Sequence, residues 1–174
     1  MTDTTTTSTD AERDDLVAML DKHRGLFLKT AEGLTEEQAR LTPTVSGLSV
    51  GGLIKHVTAS ERNWAGFAVG GAAAFPVFDE STYADWAAEF GMLPSETLEG
   101  LLAAHAETAR RTDELVRTLP SLDDAHPLPE APWFEPGARW SARRVFLHVI
   151  AETAQHAGHA DILRETIDGQ KTMG

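Results

Sequence analysis

The chain has no cysteine. Disulfides, thiolate zinc sites and a cysteine nucleophile are therefore excluded, and any thiol chemistry must draw its sulfur from another molecule. A metal site, if there is one, has to use His, Asp, Glu, carbonyl oxygens or water. Positive charge is scarce: 15 Lys and Arg stand against 27 Asp and Glu, a formal net charge of -12. No basic run and no aromatic–basic interleaving occurs, so no nucleic-acid partner is expected. The acidity fits a solvated surface. No run of about 18 apolar residues exists, so no membrane span is expected. The opening MTDTTTTSTD lacks a basic segment followed by an apolar one, so no secretory leader is expected and the cytoplasm is the expected location.

What is present is ordinary globular composition. Hydrophobic residues make up 41% of 174 residues, enough for one domain with a real core. Residues 1–9 are threonine-rich and polar, and a disordered tail is expected there. A single domain is expected over 10–169. Asp10 is a plausible N-cap, and Leu16, Leu20, His23, Phe27 and Ala31 follow a helical stripe, which predicts a helix over about 11–32 ending at Gly33. Thr35 caps a short piece, Glu36 to Arg40. Ser49 caps a second long helix whose stripe reads Leu53, His56, Val57, Ser60, Trp64 and Phe67, with Gly70 and Gly71 ending it.

Residues 71–94 carry acidic residues, Pro76, Tyr83 and Trp86. They read as a long crossover, with one helical turn at 83–90, and serve either as a rim to a site or as a plain connection. Pro94-Ser95-Glu96 signals a third helix over about 95–119, closed by Pro120. Residues 121–139 hold Pro127, Pro129, Pro132, Pro136 and a WFEPG turn signal, so an irregular loop is expected. Ser141 caps a fourth helix that Gly169 stops. Four helices without period-2 strands predict an all-α four-helix bundle, with long connections that leave room for a topology other than up-down-up-down.

The fourth helix carries the oddity. Val145, Val149, Glu152, His156, His159 with Ala160, Leu163 and Ile167 form one stripe, so titratable groups lie where apolar ones belong. Glu152 and His156, four residues apart, sit one above the other on one face. That spacing offers two ligands to one ion, and His56 on the second helix is the candidate third. Two imidazoles and a carboxylate suit zinc in an open site, and ferrous iron or nickel could also occupy it. On spacing alone the E-x-x-x-H pattern is common, and a lone His56 is more often a hydrogen-bonded core histidine. His148 is an alternative ligand and His159 a candidate to orient a ligand or substrate. His23 and His105 read as polar core edges, and His126 in its loop receives no role.

Read with its neighbours, the pattern is more specific. HVIAETAQHAGHADILRETIDG, residues 148–169, resembles the last helix of the DinB-like superfamily, in particular its actinobacterial branch described as a domain of unknown function. SGLSVGGLIKHVTASERNWAGFAVGG, residues 46–71, resembles the second helix of that branch, and PSETLEGLLAAHAETARRTDELV its third. The resemblance implies a DinB/YfiT-type bundle and a metal site of three ligands, one from the second helix and two from the fourth. His56 and His156 match two histidine positions, and Glu152 departs from the all-histidine version. At that position the chain is similar to mycothiol-dependent maleylpyruvate isomerases, which use a His-Glu-His zinc set.

Several members of the superfamily are thiol S-transferases that use mycothiol or bacillithiol. The resemblance therefore implies a metal-dependent S-transferase, with a small-molecule thiol and an electrophile as partners, a role in detoxification and a homodimeric assembly. The competing readings are an isomerase or hydrolase using the same metal, a non-catalytic metal-binding stress-response protein, and a vestigial site on a dimerisation module.

Overall fold

The computed structural model describes residues 5–76 and 90–172. Four long helices carry it. These are α1 (Thr5–Lys29), α3 (Val50–Gly70), α4 (Leu98–Thr118) and α5 (Ala142–Asp168), with the short α2 (Glu36–Arg40) between the first two. The expected all-α bundle is what the chain forms. Residues 83–89 of the helical turn expected at 83–90, with Tyr83 and Trp86, lie outside the described residues, as do residues 1–4 of the expected tail.

Local signals set most helix ends. Ser49 accepts from the Gly52 amide at the start of α3, and Ser141 accepts from the Arg144 amide at the start of α5. Thr35 and Gln38 form a reciprocal capping box on α2. Gly169 ends α5 in the left-handed conformation at φ 79°, which favours glycine. Three expectations are corrected. The first helix begins at Thr5, so Asp10 lies inside it rather than at its start. The third long helix, expected from about 95, starts at Leu98 with Thr97 as its cap, and the Glu96 carboxylate is held instead by the Leu93 amide and by Lys55. The proline-rich loop contains a short antiparallel ladder, β1 (Ala125–Pro127) against β2 (Arg139–Ser141).

Each long helix packs on two neighbours, in the ring α1–α5–α3–α4. Cross-contacts give the directions. Glu12 meets Arg143 and the Thr30 carbonyl accepts from Arg164, so α1 and α5 run parallel. His56 meets His156 and Trp64 meets His148, so α3 and α5 run antiparallel. Phe27 meets His105 and Arg13 donates to the Val116 carbonyl, so α1 and α4 are antiparallel. Consecutive helices α3 and α4 are therefore parallel, and the chain must return along a helix about 30 Å long to join them. That requirement calls for a long connection.

Two apolar clusters fill the interior. One gathers Leu20, Phe67, Val116, Val145 and Phe146, and the other Phe27, Val50, Leu53, Ile54 and Leu163. Side chains between them include charge. Arg24 donates to both oxygens of Glu61, at 3.2 and 2.6 Å, and to Asp113 at 2.8 Å. Glu61 is 2% exposed and Arg24 4%. Burying either alone would cost several kcal/mol, roughly 3–5, so the bidentate geometry is what makes the pair tolerable. His105, a core edge by sequence, is 1% exposed, and neither of its ring nitrogens has a hydrogen-bond partner among the described residues.

Candidate metal centre

The polar groups of the fourth-helix stripe face α3 across the antiparallel seam. His156, on the inward face of α5, is buried, while His56 and Glu152 are half-buried. One ligand atom from each of His56, Glu152 and His156 lies within 4.8 Å of the others. Among the described residues this is the group of His, Asp and Glu side chains that could hold a metal ion. Nε2 of His156 stands 3.7 Å from Oε2 of Glu152. Two ligands on a tetrahedral ion, each about 2.1 Å from it, stand about 3.4 Å apart, so small side-chain adjustments suffice. The donor set fits a borderline divalent cation, with the two imidazoles neutral and the carboxylate ionised.

Protonation favours this fit. Burial first, and then the neighbouring His56 ring, push His156 down to about 4. Burial also lowers His56. The rings are therefore neutral near pH 7, the state in which an imidazole nitrogen can bind a metal.

The surrounding side chains have distinct places. His159, one turn beyond His156, puts its Nδ1 3.4 Å from the Nδ1 of His156, which leaves Nε2 of His156 on the Glu152 side. His148, one turn before Glu152, has Nε2 3.8 Å from the other carboxylate oxygen, Oε1. The His148 ring also packs edge-on against Trp64 and Trp140, at 4.7 and 5.0 Å between centroids. Those two indoles stack at 4.9 Å, and Arg144 lies 4.6 Å over Trp140. An aromatic wall thus borders one end of the ligand group. His126 lies on β1 against Phe67, and His23 is half-buried on α1; neither joins the group.

Sequence reasoning missed the buried Arg24–Glu61 pair of the core and, at the centre itself, Phe90. Arg24 and Glu61 fall on the inward stripes of α1 and α3, where Leu20 to Phe27 and Val57 to Trp64 bracket them, so a finer helical phase could have found them. Phe90 gave no signal of its own. Its ring stacks on His56 at 4.3 Å between centroids and an interplanar angle of 29°. The adjacent Gly51-Gly52 was the available hint, since paired glycines at a helix start permit another backbone to approach closely.

No helix among the described residues is long and apolar enough to cross a membrane. No curated protein sequence matches the chain. The family model described as mycothiol-S-transferase matches residues 15–169, a span that includes α1 from residue 15 on, the other three long helices and every residue of the ligand group. The chain belongs to the mycothiol-S-transferase family.

Proposed function

We propose that the chain is a divalent-metal-dependent S-transferase that conjugates mycothiol to a small electrophile, with His56, Glu152 and His156 holding the metal. The observation that carries this reading is the convergence of those three side chains within 4.8 Å in a member of a thiol-transferase family. Zinc is the ion that suits the set best, and nickel and ferrous iron are the alternatives. Held by these residues, a divalent ion would supply the Lewis acidity that makes an incoming thiol easier to deprotonate.

The chain's own residues do the rest. Having no cysteine, the protein takes its sulfur nucleophile from mycothiol. Glu152 brings one negative charge to the ligand set and moderates the acidity of the site relative to three imidazoles. His159, beside Nδ1 of His156, fixes the tautomer and orientation of that ring. The aromatic wall of Trp64, Trp140 and His148 bounds the site and limits water on that side. In the transfer a carbon–sulfur bond forms, the electrophile's leaving group departs with its bonding pair, and the thiol proton passes to solvent.

The test is conjugation of monochlorobimane with mycothiol by protein stripped of metal with a chelator and then reloaded. Turnover should disappear on stripping and return with zinc. Retained turnover in the stripped protein would contradict metal dependence. Metal retention without turnover on any of several thiols would point instead to a non-catalytic metal-binding protein.

A further inference from the structure

The segment that leads into α4 is fastened to the start of α3 by more contacts than a plain connection needs. Arg40, the last residue of α2, donates to the carbonyls of Leu93 at 2.9 Å, Met92 at 3.3 Å and Glu96. Lys55 on α3 donates to the Gly91 carbonyl at 3.4 Å and pairs with Glu96 at 3.1 Å. Glu96 in turn accepts from the Leu93 amide at 2.6 Å. Residues 90–96 are thus a strap held from both ends.

The strap lies so close to α3 that its backbone leaves no room for a side chain at Gly52. A Cβ on Gly52 would fall 1.7 Å from the Phe90 carbonyl oxygen, and one on Gly51 would fall 2.1 Å from Sδ of Met92. The Phe90 carbonyl is backbone and cannot swing aside, so Gly52 is the condition for the strap's position, whereas at Gly51 the Met92 side chain could yield. The side chain delivered by this approach is Phe90, whose ring lies nearly flat on the His56 imidazole at 4.3 Å. The same imidazole meets His156 edge-on at 4.9 Å.

We infer that Phe90 is a positioning residue for the metal centre: held by the strap against Gly52, it fixes the plane of the His56 ring and so the direction of its ligand nitrogen. The χ2 torsion of a histidine is broad and sets by itself no single ring orientation. A flat ring stacked on one face removes that freedom before the ion arrives. A ligand held in its bound orientation loses less entropy on binding. The stack also covers one face of the imidazole against water.

This inference rests on the metal-site reading above, and the experiment separates the two. The probe is zinc alone, and its affinity for the full chain is measured by competition with a chromophoric chelator. The variants are Phe90→Leu, Phe90→Tyr and Gly52→Ala, with helicity and metal-free melting followed by circular dichroism. Leucine keeps apolar bulk without a flat face, and tyrosine keeps the face. Phe90→Leu should weaken zinc binding about tenfold or more while Phe90→Tyr stays within about threefold of the parent. Gly52→Ala should weaken it as well. Combined with Phe90→Leu it should add little further loss, because both changes act through the same ring.

A Phe90→Leu chain that binds zinc as tightly as the parent would overturn the inference and leave the metal site standing. Full additivity of the two changes would overturn the strap's part in it. A parent chain that binds no zinc, nickel or ferrous iron would overturn the metal-site reading and this inference with it.

Discussion

At the scale of single residues, the centre depends on protonation as much as on position. Metal-ready imidazoles must stay neutral, and burial keeps His156, His56, His148 and His105 below the ordinary histidine value of 6.5. The direction of the consequence follows from which state binds the proton. Above pH 6.5 folded and unfolded chains both carry a neutral His156, and nothing is lost. As pH falls from 6.5 toward 4, the unfolded chain gains a proton that folded His156 refuses, so stability drops through that window. By pH 5 this single ring costs about 2 kcal/mol, and the other three lowered histidines act in the same direction. Urea unfolding of the metal-free chain at pH 7.5 and pH 5 measures this. Equal midpoints at the two pH values would show that His156 is not held neutral by the fold.

At the scale of elements, the start of α4 shows what a local signal can and cannot settle. Pro94-Ser95-Glu96 has the form of a helix start, yet Thr97 accepts from the Gly100 amide and Ser95 stays outside. Glu96 is drawn to Lys55, 41 positions earlier, a choice no local pattern encodes. Thr97→Ala should therefore lower stability by about 1 kcal/mol, and Ser95→Ala by less than about 0.5 kcal/mol, as read from thermal melts. The caps on α2, α3 and α5 are made by Thr35, Ser49 and Ser141, the residues that the local pattern marks.

The same distinction governs the site. Glu152 and His156 could be read from one helix because their four-residue spacing fixes their relation. His56 was legible as a polar residue in an apolar stripe, though its meeting with α5 needed the fold. Phe90 was not legible, because its contact depends on where a long crossover comes to rest. The β1–β2 ladder escaped notice for a related reason: three-residue strands with a proline at one end carry no alternation to read.

At the scale of the whole molecule, the up-down-down-up order of α1, α3, α4 and α5 places the two ligand-bearing helices side by side and antiparallel. His56 and His156 then meet midway along the seam, with the aromatic wall toward one end and the Phe90 strap toward the other. The topology also makes the α3–α4 connection long, and that length brings the strap back over the α3 N-terminus. One architectural choice thus supplies the ligands and the residue argued to position them. The most direct test of the central claim is the metal content of the chain purified without an affinity tag, compared with the His56→Ala/His156→Ala double variant. About one equivalent of a divalent transition metal is expected in the parent, and none in the folded double variant. A parent without metal, or a double variant that retains the same equivalent, would contradict it.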